Sequence, residues 1–371
     1  MLPDDVLITI FDFCVHELQF STKDIEAWQS LVHVCRRWRS VVFGSPRRLN
    51  LRLVCISKTP MRDVNVWPPL PLVIRNNPSE GVSDVIAVLK HSDRVDRIEL
   101  FGVNSSALEK GLAAMQVPFP ELKHLELTSY DETVPVIPDS FMGGSVPRLR
   151  FFSLSGIPFP GLPKLLLSAT HLVILQLSNI PYSGYISPDV MVTVLSALTS
   201  LGSLDLGFQY PQSHPDQASR HPPPPTRTLP VLTRFWFKGV CEYLDDLVVR
   251  IDAPRVNDLS ITLFNDIILD TPRFIQFISR TPTLKVLGDA RVVFGHRAAT
   301  VSFSHTFFYG SLEVRISCGE LDWQVSSLAQ VFTSYLPALS TTEDLYIVRT
   351  SRALRTIHIP SAATSVTRWS L

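Results

Sequence analysis

A spaced pattern, Leu-x-x-Leu-x-Leu, recurs along this chain and restricts what it can fold into. It stands at 122–127, 172–177 and 201–206. Close variants are Leu149-x-x-Phe152-x-Leu154, Leu232-x-x-Phe235-x-Phe237 and Val256-x-x-Leu259-x-Ile261. Successive copies begin 23 to 31 residues apart. Apolar residues at alternate positions within each copy predict a half-buried strand. The gaps leave room for one helix each, and helical patterns fill several, notably 188–198 and 272–280. One strand and one helix per unit predicts parallel strands joined by right-handed crossovers. No single unit could bury its own apolar face, so neighbours must stack to make a shared core. Fainter echoes occur at 284–287 and 354–359.

This organisation resembles a leucine-rich-repeat solenoid. The asparagine that the family carries three residues past the last leucine is replaced by Tyr130, Ile157, Ile180 and Gln209. The turns must therefore be satisfied in another way, and irregular loops are expected. A non-repetitive α/β domain whose strands share the pattern is the competing expectation. In the solenoid geometry the leucines face inward, and the residues between them form a concave face. His124, Phe151, Ile174, Ser203 and Arg234 make one column, and Glu126, Ser153, Gln176, Asp205 and Trp236 the next. Phe151, Gln176, Asp205, Arg234 and Trp236 are the candidate target-binding residues, since aromatics and arginine dominate interface energetics. Residues 209–230 are dense in proline and lack apolar periodicity, which predicts a solvent-exposed or polyproline loop.

The N-terminal 45 residues read differently. Pro3 suits the start of a helix, and Asp4 and Asp5 complement its dipole. Val6, Leu7, Ile10, Phe11 and Cys14 follow at helical spacing. A further helix is predicted to start near Ser21-Thr22. Trp28, Leu31, Val34, Cys35, Trp38 and Val42 then give one apolar stripe, ended by Gly44-Ser45-Pro46. Arg36, Arg37 and Arg39 fall mostly opposite and read as a solvated face. A module this small cannot be robust alone and should dock on the rest of the chain or on a partner.

Leu2-Pro3-x-x-x-Leu7-x-x-Ile10-Phe11, followed by Leu31-x-x-Val34-Cys35-x-x-Trp38, resembles the F-box, with a spacer extended over 14–27. Ser45-Pro46-Arg47-Arg48-Leu49-Asn50-Leu51-Arg52-Leu53 and Trp67-Pro68-Pro69-Leu70-Pro71-Leu72 resemble a group of F-box proteins abundant in mushroom-forming fungi. The resemblance implies docking on the S-phase-kinase-associated adaptor and, through it, on cullin. The implied adaptor contacts are Leu2, Pro3, Leu7, Ile10, Phe11, Val34, Cys35 and Trp38. Some of these must instead pack between the module's own helices.

The expected fold class is therefore α/β: a helical F-box at 1–45, a linker with the first strand and helix units at 46–95, and an irregular leucine-rich-repeat-like solenoid with a parallel, concave sheet at 96–371. Leu49, Leu51 and Leu53 alternate as in a strand, and helices are expected near 82–91 and 106–115, the latter capped by Ser105 or Ser106.

Composition bounds the function. Lys plus Arg equals Asp plus Glu at 34 each, which gives no basic surface for nucleic acid. Charged residues make up only 18% of the chain, below the usual quarter, so much of the surface must be apolar, covered or neutral-polar. Five widely spaced cysteines without Cys-x-x-Cys suit a reducing compartment and buried thiols, and argue against a zinc site. Asp4 and Asp5 stand where a signal peptide needs positive charge, and no window is long and apolar enough for a membrane span. A cytoplasmic or nuclear protein without cofactor is expected. The Asn104-Ser105-Ser106 sequon is read as a chance match. Phosphate-binding loops, nucleophile elbows and zinc-protease motifs are missing. Asp131-Glu132 and Asp245-Asp246 read as solvated turn acids. The expectation is a non-catalytic substrate receptor of a cullin-based (SCF-type) ubiquitin ligase, the alternative being an interaction scaffold outside a ligase.

Overall fold

A computed structural model describes residues 2–16, 28–46, 48–56, 64, 67–76, 83–131, 133–211, 226–264, 272–284, 289–295, 298–304, 310–317, 324–326, 344–350 and 364–370. For residues 15, 16, 83, 84, 289, 344–350 and 364–370 it describes the backbone alone. The fold is mixed α/β and built on mostly parallel strands. It divides into two compact units, Met1–Ala169 and Thr170–Leu371.

The first unit opens with helices α1 (Asp4–His16), α2 (Trp28–Val34) and α3 (Arg36–Gly44). Strands β1 (Leu53–Cys55) and β2 (Leu72–Arg75) follow, then helix α4 (Ser83–Val88), β3 (Val95–Leu100), helix α5 (Ser105–Ala114), β4 (His124–Thr128), β5 (Phe151–Ser155) and helix α6 (Leu162–Leu166). The strands lie in the order β1-β2-β3-β4-β5, all parallel. Register places Ile98, Leu125 and Phe152 side by side, and Leu100, Leu127 and Leu154 beside them. All six are buried, each contributing about 1.5–3 kcal/mol of burial free energy.

The second unit contains β6 (Ile174–Ile180), helix α7 (Pro188–Ala197), β7 (Ser203–Phe208), β8 (Arg227–Thr228), β9 (Arg234–Gly239), helix α8 (Cys241–Val248), β10 (Ile251–Asp252) and β11 (Asp258–Phe264). After these come helix α9 (Pro272–Arg280), β12 (Asp289–Phe294), β13 (Ala299–Ser304), β14 (Ser311–Ser317), β15 (Asp344–Thr350) and β16 (Thr364–Ser370). The strand order is β6-β7-β9-β11-β14-β13-β12-β15-β16. Leu175, Leu204, Phe235, Leu259 and Leu312 form one buried row, and Leu177, Leu206, Phe237, Ile261 and Val314 another.

The uniform parallel sheet expected through the C-terminus stops at β14. Strand β13 runs antiparallel to both β14 and β12, and β16 antiparallel to β15. The cause is local. Only 295–298 separate β12 from β13, with Gly295 N–H donating to the Ala298 carbonyl at 2.9 Å. A link that short can join antiparallel neighbours only. The proline-dense stretch also ends in structure: Arg227 and Thr228 form β8, paired in parallel with β10. Residues 212–225 of that stretch and the echoes at 285–287 and 354–359 lie outside the described residues.

Other side chains replace the missing asparagine ladder in the first unit. Asn76, buried just past β2, donates from Nδ2 to the Phe101 carbonyl at 2.9 Å and accepts from Phe101 N at 2.7 Å. Thr128 Oγ1 accepts from Gly102 N at 2.8 Å, and Ser129 Oγ donates to the Val103 carbonyl at 2.8 Å. Gly156 follows β5 at φ 72°, where any Cβ would strike the Ser129 carbonyl oxygen.

Helix ends differ from expectation in instructive ways. Helix α5 is capped by Asn104, whose Oδ1 accepts from Ala107 N at 2.9 Å, and not by a serine. Ser187 caps α7 ahead of Pro188. Leu49 and Leu51 are buried but precede the strand that begins at Leu53. The helix expected to run from near Ser21-Thr22 to Gly44 is broken at Cys35, which is extended at φ −159°, ψ 169°, and its expected start lies outside the described residues.

Candidate functional site

The N-terminal helices pack a core of their own. Leu7, Ile8 and Phe11 of α1 meet Trp28 and Val32 of α2 and Val41 and Val42 of α3. That core takes in Leu49, Leu51 and Leu70, so it reaches past residue 45. Trp38 lies against Phe11 with ring centroids 4.8 Å apart, and Trp28 packs edge-on to Trp67 at 5.2 Å. A hydrogen bond from Trp28 Nε1 to the Arg52 carbonyl, 2.8 Å, ties the helices to the strand region. Arg52 in turn reaches buried Asp96, which Lys123 also pairs at 2.6 Å.

With that core closed, the module still shows apolar surface. Leu2, Val6, Ile10, Phe13 and Val34 each leave between 42% and 64% of their surface exposed. Val6, Ile10 and Phe13 sit at i, i+4 and i+7 on α1 and make one stripe. Of the residues implied as adaptor contacts, Leu2, Pro3, Ile10, Val34 and Cys35 point to solvent. Leu7 and Phe11 are buried in the module's own core, and Trp38 is partly buried against it. Val6 and Phe13 join the outward set. Their helical spacing is visible in the sequence, but the buried stripe beside it competes for the same reading.

The break at Cys35 matters here. Its Sγ accepts from Trp38 N at 3.5 Å and starts α3, leaving Val34 and Cys35 exposed at the corner between two helices. Cys14 is exposed as well, unlike the buried thiols expected, while Cys55 and Cys241 are buried. Arg37 is no solvated bystander: it pairs with Asp4 at 2.6 Å and donates to the Leu2 carbonyl, holding the start of α1 against α3. Arg39 Nε donates to the Val32 carbonyl at 3.0 Å.

On the outward side of the first unit's sheet, Glu99 is buried among Arg75, Arg97 at 3.1 Å and His124 at 3.6 Å. The His124 ring stacks on Phe151, centroids 4.0 Å apart and planes 3° off parallel, with Glu126 3.8 Å from His124 Nε2. Phe151 is thus half covered by its own register neighbour.

In the second unit, Ile174, Ser203, Arg234, Asp258 and Ser311 share one register row. Gln176, Asp205, Trp236, Ser260 and Glu313 share the next. Arg234 Nε donates to Asp258 Oδ2 at 3.1 Å, and its guanidinium carbon Cζ lies 5.6 Å from the Trp236 ring centre. Trp236 is exposed. Burial pushes the Asp205 carboxyl up to about 6.

Asp245, Asp246 and Asp131 each bond to a neighbouring element. Asp245 is buried on α8 and accepts from Phe274 N at 2.9 Å, capping α9 from another helix. Burial raises its pKa. Asp246 pairs with Arg273 at 2.8 Å, and Asp131 accepts from Ser105 Oγ at 2.7 Å and from Ser105 N at 2.6 Å, which together lower its pKa. Glu132 lies outside the described residues. Among the described residues there is no cluster of His, Cys, Asp and Glu able to hold a metal ion, and no helix is long and apolar enough to cross a membrane. Neither a protein-family model nor a curated protein matches the chain.

Proposed function

We propose that this chain is the substrate receptor of a cullin-based ubiquitin ligase, its N-terminal helices docking on the S-phase-kinase-associated adaptor and its strand–helix units holding a target protein. One observation carries the reading. The module buries Leu7, Phe11, Trp28 and Val32 in its own core, yet leaves Leu2, Val6, Ile10, Phe13 and Val34 exposed. A small helical module has no folding use for such a second face, and covering it with a partner's groove is the ordinary way to bury it. The residue pattern that resembles the F-box supplies the kind of partner.

The repeated strand–helix units support the second half. They read as an irregular leucine-rich-repeat-like solenoid, whose outward side chains lie in straight rows. Such a receptor works by proximity, raising the effective concentration of target near a ubiquitin-charged enzyme. No catalytic residue of its own is required.

The test is co-purification of the tagged chain with adaptor and cullin. Both should be retained. Adaptor without cullin would favour a scaffold outside the ligase, and loss of both would remove the reading. Leu7→Ala is a poor probe of docking because Leu7 is a core residue; Ile10→Asp is the informative variant.

A further inference from the structure

The second unit's outward rows hold a half-buried carboxylate, Asp205, beside an exposed indole, Trp236. Asp258 is satisfied twice, by Arg234 Nε at 3.1 Å and by Ser311 Oγ at 3.0 Å. Arg234 is thereby committed, and Lys238, the other cation of β9, lies 5.5 Å over the Phe264 ring. Asp205 is half-buried between Gln176 on one side and Trp236 on the other. No hydrogen bond or ion pair satisfies it among the described residues. A carboxylate drawn out of water without a cation is unfavourable, and a cationic partner would reverse that. The neighbour across the strand pair is an exposed indole, which takes the aliphatic stem of a long basic side chain as readily as its charged end.

We propose that the outward face of β6, β7 and β9 binds an extended protein segment through a lysine or arginine, the cation resting on Asp205 and the side-chain stem on Trp236. This rests on the receptor reading above and adds the chemistry of the target. Gln176, at the same level on β6, offers an amide to the segment's backbone. Charge complementarity fixes the sign of the partner: an acidic segment would meet Asp205 with like charge.

The full chain is titrated into fluorescent short peptide pools, random except for a central lysine, arginine, acetyl-lysine or glutamate, and polarisation is read. The lysine and arginine pools should bind at least roughly tenfold tighter than the acetyl-lysine and glutamate pools. Asp205→Asn should erase that preference, Asp205→Glu should keep most of it, and Trp236→Ala should weaken both basic pools. The wild-type contrast of lysine with acetyl-lysine decides the matter without any variant. Equal binding of all pools, no binding of the basic pools, or an unchanged preference in Asp205→Asn overturns the proposal. Adaptor affinity is measured on the same preparations. Adaptor binding lost with the basic preference intact overturns only the adaptor reading, and the reverse pattern overturns only this one.

Discussion

Trp28 donates its indole N–H to the main-chain carbonyl of Arg52 at 2.8 Å, joining the helical module to the start of the sheet. Trp28 is fully buried, so this bond is the polar anchor of an otherwise apolar contact. Trp28→Phe keeps much of the packing but strands the carbonyl and opens a small void. A loss of about 1–3 kcal/mol is expected, seen as a lower urea midpoint with unchanged slope.

Asn76 makes a similar case at the other end of the strands. Its side chain both donates to and accepts from Phe101 while nearly out of water. Asn76→Leu should cost about 2–3 kcal/mol, because both main-chain groups of Phe101 lose their partner. Calorimetric melting measures it.

Asp245 and Asp246 should separate cleanly although adjacent. Asp245→Ala removes the cap of α9 and should cost about 1–2 kcal/mol. Asp246→Ala breaks only the solvent-facing pair with Arg273 and should stay within about 0.5 kcal/mol. Denaturant titration of the two variants side by side checks the contrast.

Asp205 predicts an unusual pH dependence. Its folded-state pKa lies at about 6, above the ordinary 3.8, so the folded protein prefers the protonated acid. The cost therefore appears as pH rises through the window from about 4 to 6 and is complete above it. Its partial exposure reduces that cost to about 1–2 kcal/mol. Asp205→Asn should be more stable than wild type by that amount at neutral pH, and the two should converge as pH falls below about 4. Equal stability at every pH would contradict this.

Much of the sheet was legible because its signal is strict. Alternation at 125–127, 175–177 and 204–206 forces alternate side chains inward, and register then aligns Gln176, Asp205 and Trp236 as a row. Breaks and caps were less legible. Apolar spacing continues through Cys35 because α2 and α3 each present an apolar face, and cysteine is not a usual cap. The Asp245 cap is made between two helices, so no local pattern encodes it. On α1, Leu7 and Phe11 form one stripe and Val6, Ile10 and Phe13 another, and periodicity does not say which is covered. The reversal at β13 came from the short link at 295–298, which the repeat spacing gave no reason to expect.

The outward stripe of α1 is the central claim, and calorimetric titration of the purified adaptor tests it most directly. Ile10→Asp with Phe13→Asp changes side chains that are already exposed, so the melting temperature should hold. Affinity for the adaptor should fall by roughly a hundredfold, about 3 kcal/mol, as apolar anchors are replaced by charge. Wild-type affinity in that folded double variant would contradict docking through this face.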